Sequence, residues 1–179
     1  RLYQQVKDFT PEKHQIMEST RLFQVDVNQT RAETLNEIVK KATFVTLDKT
    51  ELLRIYKGNI AKLQMTLPYD GDNLNVELIR SDLFTEDFSV ITSDSKGQSV
   101  PVKTGVYFRG VLKNDMNSLV TLSVFENEAI GIISTDNGNI VINPIGNRGN
   151  GDITTDEKRN KRLEIIVLCL TNKHGYRDF

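Results

Sequence analysis

The sequence predicts an α+β domain dominated by an antiparallel β-sheet, and three observations support this class. Apolar and polar residues alternate between Lys62 and Leu78, which is typical of strands with one buried face. Turn-forming clusters separate short apolar runs from Tyr107 to Ile145, at a spacing that suits a β-meander. Capping boxes beginning at Thr30 and Asp48 predict two short N-terminal helical segments. We expect these helices to cover one face or end of the sheet.

The N-terminal segment, residues 1–20, is polar and offers little to a core. Within it, Pro11 to Glu18 is compatible with a short helix, because Thr10 can cap it and Pro11 suits the first helical position. The segment from Arg21 to Val27 alternates apolar and polar residues, which predicts a strand.

The two predicted helices are each defined by a start signal and an apolar stripe. After the Thr30 box, the stripe consists of Leu35, Ile38, Val39 and Ala42. After the Asp48 box, the buried side consists of Leu52, Leu53, Ile55 and Tyr56. Gly58-Asn59 is expected to end the second helix.

A β-hairpin is predicted next, because the pattern changes to a period of two. Its first strand, Lys62 to Leu67, places Leu63, Met65 and Leu67 on one face. Residues 68–72 form a turn, and the returning strand carries Leu74, Val76 and Leu78. The polar loop at 93–99 then precedes the meander.

Composition excludes several function classes. The 179 residues suffice for one domain with a substantial core. With 23 basic and 24 acidic residues, the net charge of -1 argues against a nucleic-acid partner. No apolar run approaches the roughly 20 residues that span a bilayer, so we expect no membrane insertion. The single cysteine, Cys169, excludes an internal disulfide.

The search for catalytic and metal-binding motifs is negative. His14 and His174 are the two histidines, and neither belongs to a His-Glu-x-x-His motif. There is no nucleophile elbow, phosphate-binding loop or Cys-x-x-Cys motif. The concentrated carboxylates, Glu86-Asp87 and Asp156-Glu157, lie in apparent loops without a histidine partner. We therefore expect this chain to have no enzymatic activity of its own and to bind no metal or cofactor.

Residues 146–160 are predicted to be a flexible linker, since they are rich in glycine and charge and have almost nothing to bury. The linker runs into a basic cluster formed by Arg159, Lys161 and Arg162. Such a cluster is either a processing site for proteases with acidic pockets or an ordinary solvated linker. The apolar run from Arg162 to Thr171 predicts a further strand.

The order of motifs in the meander is distinctive. Phe108-Arg109-Gly110 is followed by Ser118-x-Val120-x-Leu122-Ser123, then by Gly131-Ile132-Ile133, and finally by Val141-Ile142-Asn143-Pro144-Ile145. This order resembles the prodomain of secreted zinc metallopeptidases of the reprolysin/adamalysin type, where Y-x-G-x-V, S-x-V-x-L-S, G-x-I and Y-x-I-x-P-L occur in succession. The resemblance spans roughly residues 20–145 and is clearest over 105–145.

The resemblance implies a non-catalytic prodomain that is secreted or lies at the cell surface. It would assist folding of the cognate metallopeptidase domain of the same precursor and keep it latent until cleavage near residues 146–162. Arg159-Asn160-Lys161-Arg162 is similar to a maturation site of this family. Zinc and the catalytic residues are expected in a downstream domain. Residues 161–179 are either the start of that domain or a final strand of this one.

Other assignments stay open at this point. Cys169 follows the basic cluster, so a buried structural cysteine is favoured over a zinc-ligating one. Arg109 either projects to a carboxylate of a partner or lies along the outer face of the sheet. Gly110 and Gly131 are expected to mark close packing or bulges. The alternative function is a stand-alone β-rich module for binding or adhesion at the cell surface.

Overall fold

A computed structural model describes residues 2, 4–5, 17–25, 41–144 (without 86, 94–95 and 101) and 164–170, with residues 41 and 164–170 described as backbone alone. The elements are β1 (Glu18–Thr20), β2 (Phe23–Val25), β3 (Lys41–Leu47), α1 (Lys49–Lys57), β4 (Lys62–Tyr69), β5 (Asp72–Ser81), β6 (Val90–Ile91), β7 (Ser99–Val100), β8 (Val106–Leu112), β9 (Asp115–Val124), β10 (Ala129–Thr135), β11 (Gly138–Pro144) and β12 (Glu164–Leu170). The described chain is therefore mainly β.

Ten strands form one sheet in the order β1-β4-β5-β8-β9-β10-β11-β12-β3-β2, and β6 and β7 form a separate small hairpin. The β1–β4 pair is parallel, and the other pairs of the large sheet are antiparallel. The predicted dominance of antiparallel pairing is thus confirmed. The parallel pair corrects the prediction in one respect, because it makes the sheet mixed.

The sheet curls until its two ends approach each other. β2 and β3, at one end, contact β4, which lies near the other end. There the backbone N–H of Asp70 donates to Oγ1 of Thr43 over 2.9 Å. The curled sheet encloses a core to which strands β2 to β5, β8 to β11 and the helix contribute. Leu52 and Ile55 of α1 are fully buried in this core, so the helix packs against the inner side of the sheet.

The helix after Asp48 forms as predicted, because its first turn is capped. The Asp48 carboxylate accepts hydrogen bonds from the backbone N–H groups of Thr50 and Glu51, over 2.9 and 3.1 Å. The capping box is not completed by Glu51, whose carboxylate instead accepts from Oγ1 of Thr20 over 2.6 Å. Gly58 follows the helix, where its N–H donates to the carbonyl of Arg54. The start and end read from the sequence are therefore confirmed.

The predicted hairpin is confirmed as β4–β5, with the side chains of Leu63, Met65 and Leu67 buried. The turn is shorter than the predicted segment 68–72. Asp70 and Gly71 make it alone, with φ of 54° and 83°. Two central residues with positive φ are typical of tight hairpin turns, because their twist matches that of the strands.

Three N-terminal predictions need correction. Ala42, assigned to the first predicted helix, lies in β3, while the rest of that stripe lies outside the described residues. Glu18, at the end of the predicted 11–18 helix, begins β1. Of the strand expected over 21–27, Phe23–Val25 form β2, the fully buried Leu22 lies between β1 and β2, and residues 26–27 lie outside the described residues. The physical reason is sheet pairing, since β1, β2 and β3 each gain a hydrogen-bonded neighbour strand.

The strand predicted after the linker is present as β12. Its backbone lies between β11 and β3, so both of its edges are paired. This is the placement expected for a strand of the same sheet. The boundaries proposed at residues 145 and 160 fall among residues 145–163, which lie outside the described part of the chain, and the boundary at residue 20 also stays a prediction.

Candidate functional site

The predicted meander is confirmed as four successive antiparallel strands, β8 to β11. Its inner face is part of the core, to which Phe108, Val120 and Leu122 belong. Because successive side chains of a strand point to opposite faces, the intervening residues Arg109 and Thr121 lie on the outer face. The candidate site lies on this outer face.

The two motif glycines of the meander are fixed by close packing. A Cβ atom at Gly110 would lie 1.8 Å from the carbonyl oxygen of Glu77 on β5. A Cβ atom at Gly131 would lie 2.6 Å from the carbonyl oxygen of Thr121 on β9. Any other residue would force neighbouring strands apart. The prediction that these glycines mark close packing is therefore confirmed.

The motif serine, Ser118, completes hydrogen bonding at a β-bulge. The register of β8 and β9 shifts between Gly110 and Leu112, which interrupts the ladder. Oγ of Ser118 accepts from the Leu112 N–H over 2.8 Å and donates to the Asp115 carbonyl over 2.6 Å. This role was not predicted from the sequence. The sequence does contain one indication of this role. Ser118 is a polar residue at one of the alternate positions of β9 that are otherwise occupied by buried apolar side chains.

The outer face carries a cavity of about 410 Å³, which we name the Arg109 groove. The residues lining it are Arg80, Ser81, Asp82, Leu83, Tyr107, Phe108, Arg109, Thr121 and Ser123. Strand register explains how distant parts of the sequence meet there. Ser81 and Ser123 both lie opposite Tyr107, and Thr121 lies opposite Arg109. The groove therefore crosses three adjacent strands, β5, β8 and β9.

Arg80 and Arg109 differ in their partners and in the face of the sheet on which they lie, since Arg80 is opposite the inward-facing Phe108 and Arg109 is on the outer face. Arg80 lies 3.5 Å from the Asp82 carboxylate through Nε, and it donates to the Gly58 carbonyl over 3.2 Å. Arg109 is exposed, and no carboxylate in the described part of the chain forms an ion pair with it. Its guanidinium is therefore available to an incoming anion.

A serine hydroxyl also remains unsatisfied at the groove. Oγ of Ser81 is shielded from water and has no hydrogen-bond partner within the described residues. A buried polar group without a partner costs about 1–3 kcal/mol. An acceptor or donor that reached Ser81 would recover part of that cost.

A row of aromatic rings forms one wall beside the groove. The ring centroids of Phe84 and Phe88 lie 4.3 Å apart, and Phe84 is 5.8 Å from Tyr107. Tyr107 in turn lies 6.2 Å from Phe125 in an edge-to-face arrangement. Phe84 and Phe88 are 41% and 43% exposed. This wall offers an apolar surface whose rings are held by one another.

The opposite side of the groove is aliphatic. Ile130 and Ile132 on β10 are exposed, and they lie directly opposite Ser123 and Thr121 of β9. Strands lie about 4.8 Å apart, which places Ile132 about 10 Å from Arg109 across the sheet. The outer face thus presents a polar, cationic centre between two apolar margins.

Most of the residues singled out for chemistry from the sequence fall outside the part of the chain that the structure describes. His14, His174, Arg159, Lys161 and Arg162 lie outside the described residues. Cys169 is described only as backbone in β12. Arg109 does lie on the outer face, as one of its two interpretations expected.

The groove offers charge, hydrogen-bonding groups and apolar surface to a partner. Among the described residues, no group of three or more histidine, cysteine, aspartate or glutamate side chains is placed to hold a metal ion. No helix in the described ranges is long and apolar enough to span a membrane. A guanidinium, several hydroxyls and an apolar wall instead provide the elements of a recognition surface.

The sequence was also compared with known proteins. No protein-family model matches it, and no curated protein matches it either.

Proposed function

We propose that this chain is the non-catalytic prodomain of a secreted zinc metallopeptidase of the reprolysin/adamalysin type. One observation supports the proposal above the others: the motif residues Gly110, Ser118 and Gly131 all have backbone-level roles within a single meander. Residues required by geometry are expected to keep their order and spacing wherever the same meander is built. Their agreement with the prodomain pattern therefore supports a shared structural unit rather than a coincidence of short motifs.

In this role the chain binds its cognate peptidase domain and holds it latent. A domain that binds only the native peptidase stabilises that native state by mass action, which also assists folding. Inhibition requires that the bound prodomain cover the catalytic cleft. Zinc and the residues that activate water belong to the peptidase domain, so this chain contributes binding surface and no catalytic group.

Addition in trans tests the proposal. The peptidase domain encoded in the same precursor is purified separately and assayed on a generic peptide substrate with increasing amounts of this chain. Saturable inhibition is expected. A chain carrying Gly110→Val, which cannot form the close β5–β8 contact, is expected not to inhibit. Absence of a zinc peptidase in the same reading frame, or absence of binding, would contradict the proposal.

Release from latency is proposed to follow cleavage at the basic cluster. Incubation of the precursor with a protease selective for paired basic residues should yield a fragment that ends at Arg162. Replacing Arg159, Lys161 and Arg162 together by alanine should abolish that fragment and leave the precursor latent. Unchanged cleavage of the triple variant would place processing elsewhere.

A stand-alone surface-binding module is the second candidate, and the Arg109 groove favours it as much as a prodomain does. The two functions differ in the domain that the same gene encodes downstream. A downstream His-Glu-x-x-His-x-x-Gly-x-x-His motif supports the prodomain. Binding to another surface protein in the absence of such a motif supports the module.

A further inference from the structure

We propose that the Arg109 groove is the surface through which this chain holds its peptidase domain, and that it takes an acidic segment of that domain flanked by apolar residues. This inference rests on the proposed function and assigns its contact surface. It depends on three features of the groove: an exposed cation, a set of hydroxyl groups and two apolar margins.

The exposed guanidinium of Arg109 favours an acidic group in the segment that binds the groove. Arg80, Asp82 and Arg109 are the charged residues lining the groove, and Asp82 balances Arg80. Arg109 is left as the excess positive charge on β8, a strand paired on both sides and therefore rigid. Its planar guanidinium suits bidentate pairing with a carboxylate, which fixes orientation as well as attraction.

The hydroxyls give the site further hydrogen-bonding capacity around the same point. Thr121 lies directly opposite Arg109 on β9. Ser81, whose Oγ lacks a partner in the described structure, and Ser123 flank Tyr107 in the next cross-strand row. Backbone or carboxylate oxygens of a bound segment would therefore meet hydroxyl donors on the β9 side of the guanidinium, at Thr121 and Ser123, whereas the apolar Ile79 lies opposite Arg109 on β5.

The apolar margins define the neighbours of the acidic residue. Phe84 and Phe88 lie on one side, and Ile130 and Ile132 lie on the other. Aromatic and arginine side chains that share one patch are the usual dominant contributors to protein–protein affinity. A segment with one Asp or Glu between apolar residues complements this face, whereas a basic or purely polar segment does not.

Affinity measurements on the full chain test the assignment. Binding of the separately expressed peptidase domain is measured by titration calorimetry for wild type, Arg109→Ala and Phe84→Ala. Each substitution should weaken binding about 10- to 100-fold, as expected for a central contact. Lys113→Ala removes an exposed cation from the same hairpin outside the groove, and it should change affinity less than about 2-fold.

Salt dependence provides a second readout that a merely structural role of Arg109 would not change. Wild-type affinity should fall as ionic strength rises, because charge–charge attraction is screened. Arg109→Ala should show a shallower dependence. Matching thermal melting curves for the two chains would establish that both are folded.

Each contrary result has a distinct meaning. If the wild-type chain does not bind the peptidase domain, both the proposed function and this inference are overturned. If wild type binds and Arg109→Ala binds equally well, only the groove assignment is overturned. If Arg109→Glu instead dissociates a dimer of this chain in sedimentation experiments, the occupant is a second copy and the acidic peptidase segment is excluded.

Discussion

The inner and outer faces of the β8–β11 meander use neighbouring residues for different purposes. Three consecutive positions show the contrast most clearly. Phe108 is buried in the core, Arg109 lines the outer groove, and Gly110 is fixed by the carbonyl of Glu77. The same short motif therefore supports the fold through Phe108 and Gly110, and it contributes Arg109 to the surface that we propose for binding. Substitutions should separate the two faces by their effects on stability.

The largest loss of folding stability is expected from a substitution at Gly110. Gly110→Val places side-chain atoms where the Glu77 carbonyl lies, so β5 and β8 must separate. We expect a loss of at least about 4 kcal/mol, which is comparable to the whole stability of many domains. Circular dichroism and urea titration measure it. A native-like melting curve for this variant would contradict the packing described for β5 and β8.

A matched pair of leucines on β9 sharpens the comparison. Leu122 is 1% exposed on the inner face, and Leu119 is 48% exposed on the outer face. Leu122→Ala should lower the free energy of unfolding by about 2–5 kcal/mol, because it leaves a cavity in the core. Leu119→Ala should change it by less than about 0.5 kcal/mol. Equal effects in urea denaturation would mean that the two faces are not distinct.

Ser118 and Ser123 both lie on β9, and an intermediate loss of stability is expected when the first of them is replaced. Ser118→Ala removes the donor and acceptor at the bulge and leaves the Leu112 N–H without its partner, at a cost of about 1–3 kcal/mol. Ser123→Ala, in the groove, should be nearly neutral for stability. Hydrogen exchange of the Leu112 amide provides a local readout, and it should accelerate in the first variant alone.

The smallest loss of stability is expected at a partly exposed ion pair on the helix α1, between Glu51 and Arg54. A hydrogen bond from Arg54, with a second from Thr20, holds the pKa of Glu51 below its ordinary value of 4.5. Because its pKa is lowered in the folded state, ionised Glu51 stabilises the folded state above pH 4.5. This contribution to the free energy of unfolding is lost as the pH falls through the lowered pKa. Glu51→Gln should therefore cost about 0.5–1 kcal/mol at pH 7, and the cost should shrink as the pH falls below 4.5. Thermal melts of both chains across this pH range measure the difference, and a difference independent of pH would be the contrary result.

Local signals explain which parts of the fold are predictable from the sequence. The Asp48 cap, the alternation through Leu63, Met65 and Leu67, and the turns of the meander each act over a few residues. β3 was missed because Lys41–Leu47 overlaps an apolar stripe with helical spacing, and pairing with β2 and β12 decides its conformation. Such pairing is a long-range property that a local pattern does not contain.

The candidate site illustrates the same limit more strongly. Ser81, Arg109 and Thr121 are far apart in the sequence and meet only through the register of β5, β8 and β9. Arg109 alone was identifiable, since its position beside Gly110 placed it on a predicted strand. The unsatisfied hydroxyl of Ser81 and the aromatic wall around Phe84 depend on tertiary packing.

Site-specific crosslinking tests most directly whether the outer face of the meander contacts the peptidase domain. A photoreactive benzoylphenylalanine is introduced at Ile132, beside the groove, or at Asn137, in the β10–β11 turn, and each chain is irradiated with the peptidase domain. Binding through the Arg109 groove predicts a crosslinked product from position 132 and none from position 137. A complex that forms but crosslinks only through position 137, or through neither, would contradict binding through this face.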